Sequence, residues 1–350
     1  MIKSNDIERF LVDRKWQGIP SVEITEKGNL FVVFYTGGIG EQLGNYCLVY
    51  RGNKDCIMEA KPLVVVYNGE NSRCYDSTLW IDPLKRLWLI YSTQPEALTY
   101  ASICENPDDE TPIFGKPFVI GQDVMMNKPT VLKNGKWLFP IAVWQKGIVA
   151  AREGLHSNTP DKKAFAYITE DNGRTFCKAG GGDADHRLYD EHMFLEKNNG
   201  DIELYMRTKY GIAKCVSTDG AKTFSYGQDS GIKGPSSRFH IRRLASNRVL
   251  LINHYNFKGR NNLTALLSED DGVTYPYTLL LDERNDVSYP DVAILGEYIY
   301  IVYDRERGAD YDKSPNPAKE ILMAKITEED ILKGKLISKE SKLKVIVNKL

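Results

Sequence analysis

What the sequence lacks narrows its reading first. Its 46 lysines and arginines are offset by 47 aspartates and glutamates, so no positive surplus draws in a phosphate backbone. Nucleic acid is therefore not expected as a partner. No window holds the ~18 uninterrupted apolar residues of a helical membrane span, and no membrane partner is expected either. The cysteines (Cys47, Cys56, Cys74, Cys104, Cys177, Cys215) include no CxxC pair, which argues against a metal ribbon or a thioredoxin-like site. They read as buried, reduced thiols. Motifs for a nucleotide, haem or tetrahedral zinc are missing, nothing asks for calcium in the loops, and no cofactor is expected. The opening stretch MIKSNDIERFLVDRKW has no apolar core run. No signal peptide is visible there, and the expected setting is cytoplasmic, or secreted if a leader has been removed. Helical periodicity is nearly absent. Only ITEEDILKGK, with its Thr start, acidic first turn and Lys-rich end, reads as a short helix.

What is present is a repeat. A turn followed by a short apolar strand recurs as EKGNLFVVFYTGG, DPLKRLWLIYST, KNGKWLFPIAVW, KNNGDIELYMRT, ASNRVLLINHY and LGEYIYIVYDR. The turns fall at Gly28, Lys85, Gly135, Gly200, Asn247 and Gly296, in steps of 57, 50, 65, 47 and 49 residues. The phrases are rich in Val, Ile, Tyr, Phe and Trp, as strands buried on both faces should be. A propeller blade takes about 40–50 residues and four strands, so the repeat predicts an all-β, six-bladed propeller. One domain is expected over residues 1–350, with the short helix and a closing tail around 326–350.

A second repeat runs out of phase with the first. TEDNGRTF from Thr169, STDGAKTF from Ser217 and SEDDGVTY from Ser268 start 48 and 51 residues apart. Turn chemistry explains each position: Asp caps the backbone, Gly takes positive φ, Thr bonds back, and the aromatic plugs between blades. These turns resemble the Asp-box of the sialidase superfamily, whose fold is a six-bladed propeller. The resemblance runs from about Trp16 to Lys325.

That resemblance implies site residues. Sialidases clamp a substrate carboxylate with three arginines, pair a tyrosine nucleophile with a glutamate, and use an aspartate acid/base on a loop. VSYPD after the last box makes Tyr289 similar to the nucleophile, with Asp291 beside it. YDEHMFLEKNNGDIELYMRT makes Glu191 and Arg207 the matching glutamate and second arginine, and GRNNLTALLSEDDG offers Arg260 as the third. The first arginine belongs to an RIP motif in the first blade, but this chain reads QGIPS, with Gly18 in its place. The first-blade loop TGGIGEQLGNY holds Glu41 as its only carboxylate, where the family has its acid/base.

The residues carry an argument of their own. A tyrosine hydroxyl, with a pKa near 10, is a weak nucleophile until a neighbouring carboxylate takes its proton. A neutral nucleophile suits an anionic substrate, which would repel a carboxylate. In SSRFHIRRL, strand alternation puts Arg238, His240 and Arg242 on one face, and Arg238 could replace the clamp missing at Gly18. His192, beside Glu191, is a second imidazole candidate. Asp76 and Lys128 precede the second and third strand phrases, the blade position that Glu191 holds before the fourth. Equivalent points of every blade return to one channel, so Asp76, Lys128, Glu191, Arg238 and Tyr289 should converge.

The expected function is an exo-acting glycoside hydrolase that cleaves a terminal, acidic sugar from an oligosaccharide or glycan. Tyr289 would attack, Glu191 would activate it, and Glu41 or Asp76 would protonate the leaving oxygen. Arg207, with Arg260 or Arg238, would hold the carboxylate. Lys128, His192, His240 and Asp291 are further substrate-binding candidates. The alternatives are a lyase on a uronic-acid glycan, with Tyr289 or His240 as base, and a noncatalytic carbohydrate-binding propeller.

Overall fold

The computed structural model describes residues 7–55, 58–144, 161–307 and 317–350. Its strands form six antiparallel sheets arranged as propeller blades. Blade 1 comprises β1 (Trp16–Ile24), β2 (Asn29–Gly37), β3 (Tyr46–Asn53) and β4 (Val64–Val66). Blade 2 comprises β5 (Arg73–Ile81), β6 (Leu87–Gln94), β7 (Leu98–Cys104) and β8 (Phe118–Gln122). Blade 3 comprises β9 (Val124–Met125), β10 (Thr130–Val131), β11 (Trp137–Ala142), β12 (Ala164–Thr169) and β13 (Cys177–Gly182). Blade 4 comprises β14 (Met193–Glu196), β15 (Ile202–Arg207), β16 (Ile212–Ser217) and β17 (Gln228–Asp229). Blade 5 comprises β18 (His240–Arg243), β19 (Val249–His254), β20 (Leu263–Ser268) and β21 (Tyr277–Asp282). Blade 6 comprises β22 (Val287–Leu295), β23 (Tyr298–Arg305), β24 (Glu320–Thr327) and β25 (Lys342–Lys349).

Each apolar phrase of the first repeat is the second strand of a blade: β2, β6, β11, β15, β19 and β23. That strand is covered by its neighbours in the sheet and by the adjoining blades, which is why both of its faces are apolar. The core lies between blades. Trp80 and Trp88 of blade 2 pack edge-on against Trp137 of blade 3, with ring centroids 5.0 and 6.2 Å apart. The Asp-box turns link the third and fourth strands of blades 3, 4 and 5. In the first, Asp171 accepts from the backbone of Arg174 and Thr175 and from the hydroxyls of Thr169 and Thr175, at 2.6 to 3.0 Å. Phe176 then reaches Trp88 of the previous blade, centroid to centroid at 6.4 Å. A Cβ on Gly173 would lie 2.4 Å from Trp88, so this turn needs glycine for space as well as for its φ of +80°.

The expected helix is α1 (Glu328–Lys333), with a Thr327–Asp330 capping box and Gly334 in the left-handed C-cap. Cys47, Cys74, Cys104 and Cys215 are buried thiols as expected, but Cys177, at the start of the outer strand β13, is exposed. Cys56 lies outside the described residues. Every blade draws its strands from consecutive sequence, so no strand is exchanged to close the ring among the described residues. Side chains of blade 6 latch blade 1 instead. Asp291 accepts from the Ser21 hydroxyl at 2.6 Å and the Val22 amide at 3.0 Å, and Asp304 accepts from the Ile19 amide at 2.8 Å.

Candidate active site

The innermost strands of blades 1, 2 and 6 share a local feature. β1, β5 and β22 each carry a bulge, and each bulge holds a non-glycine residue at positive φ: Ile19 at 56°, Asp76 at 48° and Tyr289 at 58°. A bulky residue in this region is strained and persists only where its surroundings impose it. Bulges re-aim a side chain, and two of these three carry predicted site residues.

Tyr289 stands at the centre of the site. Its hydroxyl donates to Glu191 Oε1 at 2.8 Å. The same carboxylate oxygen accepts from Arg207 Nη1 at 2.7 Å, and that nitrogen lies 3.1 Å from the Tyr289 hydroxyl. Glu191 is delivered by Tyr189 and Asp190, both at positive φ (60° and 31°), and Arg187 braces Asp190 at 2.7 Å. Burial raises the Tyr289 pKa and the Glu191 charge adds to this, against Arg207, Arg307 and Arg260. The resting phenol is therefore protonated, with its acceptor already in place. Burial works against the charge of Arg207, but Glu191 and Tyr289 more than offset it and raise its pKa.

Two further guanidinium groups face the Tyr289 ring: Arg260 at 5.3 Å and Arg307 at 4.1 Å from the centroid. Arg207 Nε donates to the Ser236 hydroxyl at 3.0 Å and Arg260 Nη2 to the Ser236 carbonyl at 3.1 Å, so one residue orients both. Arg307 is held by Ser288 at 3.0 Å and Asp304 at 3.3 Å. Arg307, which the sequence does not single out, occupies the space above Gly18. A Cβ on Gly18 would sit 2.5 Å from Arg307 Cδ. The expectation that Arg238 fills the place of the missing arginine is corrected accordingly. Arg238 is fully buried, with its nearest carboxylate, Asp291, 3.6 Å away.

Of the carboxylates proposed as acid, Glu41 accepts from Arg73 Nη2 at 3.1 Å and lies 3.9 Å from Arg307. Asp76 is buried and makes no hydrogen bond to a described residue. Burial, only partly offset by Arg73 and reinforced by Glu41 and Glu191, raises its pKa to about 7. Arg73 itself, missed in the sequence, also donates to the Tyr35 hydroxyl at 2.9 Å.

The remaining candidates do not join Tyr289. His192 points into the blade wall, its ring nitrogens 2.8 and 3.0 Å from the carbonyls of Phe165 and Asp190, and burial lowers its pKa to about 4. Lys128 donates to Glu23 and the Val22 carbonyl, both at 2.5 Å, and lies 3.3 Å from Asp291. His240 Nδ1 lies 3.1 Å from Asp291, and burial lowers its pKa to about 4 despite that carboxylate. Burial alone would raise the Asp291 carboxyl, but Lys128, His240 and Arg238 hold it well below the usual range. Asp291, Lys128, Arg238 and His240 thus form an inner charge cluster in the channel. The expected convergence of Lys128 and Arg238 with Asp76, Glu191 and Tyr289 is corrected: they pack around Asp291 instead of beside the tyrosine.

Residues 64–301 match the BNR repeat-like domain. No curated protein matches the chain in sequence. Among solved structures, a Dyadobacter fermentans protein of unknown function is similar at 17% identity and a TM-score of 0.63, covering 88% of this chain and 93% of that one. A Hadza microbial sialidase is similar at 16% identity and a TM-score of 0.65, covering 82% of this chain and 63% of that one. The leech intramolecular trans-sialidase is similar at 12% identity and a TM-score of 0.66, covering 92% of this chain and 70% of its own. At such identities the likeness is one of fold.

Proposed function

Because the chain belongs to the BNR repeat-like domain family and shares its propeller with sialidases, we propose that it is an exo-acting glycosidase releasing a terminal acidic sugar from a glycan. The observation that carries this reading is the Tyr289 hydroxyl bonded to Glu191 with Arg207, Arg260 and Arg307 around its ring. Each of these arginines keeps at least one terminal guanidinium nitrogen without a hydrogen bond to the described residues, so each can take a carboxylate oxygen.

In the proposed reaction the sugar carboxylate lies among the three arginines. The Tyr289 oxygen attacks the anomeric carbon while its proton passes to Glu191. The bond to the leaving oxygen breaks as Asp76 donates its proton, and a glycosyl–tyrosine intermediate forms. Water then attacks the same carbon with Asp76 as base, and Glu191 returns the proton to Tyr289. An uncharged nucleophile avoids repulsion by the substrate carboxylate, and tyrosine nucleophiles are known among glycosidases. Asp76 suits the acid role better than Glu41, because burial keeps it protonated up to about pH 7 while Glu41 is ion-paired to Arg73. The arginine above Gly18 supplies the charge that this position lacks, which weakens the case for a noncatalytic binder. His240, bound up with Asp291, is poorly placed as a lyase base.

Product analysis tests the proposal. Wild type and Tyr289→Phe would be incubated with sialosides, uronic-acid oligosaccharides and neutral aryl glycosides. Release of a saturated acidic monosaccharide by wild type only is expected. An ultraviolet-absorbing unsaturated product would replace the hydrolase with a lyase, and turnover of neutral glycosides alone would overturn the carboxylate clamp.

A further inference from the structure

A cavity opens at the end of the channel away from Tyr289. The bulges lie near the beginnings of the innermost strands; the cavity is lined by their ends, from Glu23 and Ile24 of β1 to Ile294 and Leu295 of β22. Its volume is about 670 Å3, within the range of ~300–1,000 Å3 common to small-molecule pockets. The inner charge cluster separates the two ends. Asp291 and Arg238 within it are fully buried, so a ligand at one end does not touch a ligand at the other.

The wall mixes charged and apolar residues, with Val131, Ile294 and Leu295 among the accessible apolar ones. Most charges on it are already matched. Lys128 pairs with Glu23 at 2.5 Å, Lys85 with Glu26 at 2.6 Å, and Arg243 with Asp271. Asp82 is held by Arg86 and the Trp88 indole, and Asp108 by Thr25 and Asn29. Lys133 donates to the Lys197 carbonyl at 3.2 Å. Arg242 is the exception. Half-buried on β18, it alone of the lining cations makes no hydrogen bond or ion pair with any described residue. Glu23 and Asp291 act on it only at longer range, and burial lowers its pKa despite them. A guanidinium facing a cavity with its fork unfilled matches a planar or tetrahedral oxyanion.

We propose that this cavity is a second ligand site, selective for a small amphiphilic anion whose carboxylate, sulfonate or phosphate head sits on Arg242 and whose apolar body lies along Val131, Ile294 and Leu295. The site does not depend on the glycosidase reading, and its test reads binding, not turnover.

The probe is 8-anilinonaphthalene-1-sulfonate, titrated against the full chain and followed by its fluorescence, with uncharged N-phenyl-1-naphthylamine as the comparison. Wild type should bind the sulfonate saturably, at one site of this class, and at least tenfold more tightly than the uncharged ring system. Arg242→Gln should weaken the sulfonate at least tenfold and leave the uncharged probe nearly unchanged, while Arg242→Lys recovers part of the loss. Arg207→Ala, at the other end, should leave this binding intact. Equal binding of the two probes by wild type, a comparison that needs no variant, would overturn the proposal. So would Arg242→Gln binding the sulfonate like wild type, or loss of the binding in Arg207→Ala.

Discussion

At the scale of single residues, the site joins strain to electrostatics. Tyr289 and Asp76 hold positive φ in matching bulges of β22 and β5, so both are aimed by backbone that their side chains do not favour. Their pKa values are both raised by burial, which makes each a proton donor at rest. If Asp76 is the acid, the rate falls as pH rises through about 7, because the proton it must donate is then gone. Asp76→Asn should lose roughly 10²–10⁴-fold in kcat/KM on sugar leaving groups and much less on a nitrophenyl leaving group, whose departure needs no proton. It should also erase the alkaline limb of the pH profile. Arg307→Ala should lower kcat/KM by about 10–100-fold, the loss of one charge-assisted contact of ~1.5–3 kcal/mol. Gly18→Arg should be harmful alone, since Arg307 already fills its space, and should partly restore activity when combined with Arg307→Ala. Much of this was legible. VSYPD, the YDE stretch and the MRT end of β15 pointed to Tyr289, Glu191 and Arg207, which meet within 3.1 Å. Arg307 was not legible, because its partner Gly18 is adjacent only once the ring closes. His240 misled for a different reason: strand alternation gives a face but not whether that face meets a ligand or, as here, the buried carboxylate of Asp291.

At the scale of elements, the second strand of each blade was the readable one, because burial on both faces leaves a continuous apolar phrase. The innermost strands were harder to read. WQGIPSVEI, RCYDSTLWI and VSYPDVAIL mix polar and apolar residues because one side faces a charged channel, and their bulges break the alternation. The Asp-box turns were read correctly from composition alone, since each hydrogen bond is local. In the first box, Asp171 is held down to about pKa 2, led by the Thr175 hydroxyl and amide. A carboxylate lowered in the folded state contributes stability above its unfolded value near 3.8, and that contribution is lost as pH falls through about 2. Asp171→Ala should therefore lower Tm by a few degrees at neutral pH. The difference from wild type should close on acidification, while activity at 25 °C is kept. A thermal melt series from pH 7 to pH 2 checks both.

At the scale of the whole molecule, six blades drawn from consecutive sequence are joined last to first without a shared strand among the described residues. Asp291 and Asp304 make that joint, and both belong to the blade that carries Tyr289. Closure and site geometry are thus the same structure: Asp304 ties blade 1 to blade 6, receives the Ser288 hydroxyl at 2.7 Å, and holds Arg307. Asp291→Ala would remove the latch and leave Lys128 and Arg238 buried without their shared carboxylate, a loss of about 3–5 kcal/mol. Urea unfolding should show that loss, whereas Tyr289→Phe should unfold close to wild type. The blade number was readable from the spacing of the repeat. The closing latch was not, because it joins residues some 270 positions apart.

On the proposed reading, Tyr289 is the nucleophile at a site for an acidic sugar. Its most direct test is to trap the intermediate: fluorinated glycosyl fluorides of sialic and uronic acids, which form the glycosyl–enzyme faster than they release it, followed by peptide mass analysis. One added sugar is expected on the peptide carrying Tyr289 of the wild type, with none on Tyr289→Phe. A sugar found on Glu191, Asp76 or Glu41 instead, or labelling that persists in Tyr289→Phe, would contradict it.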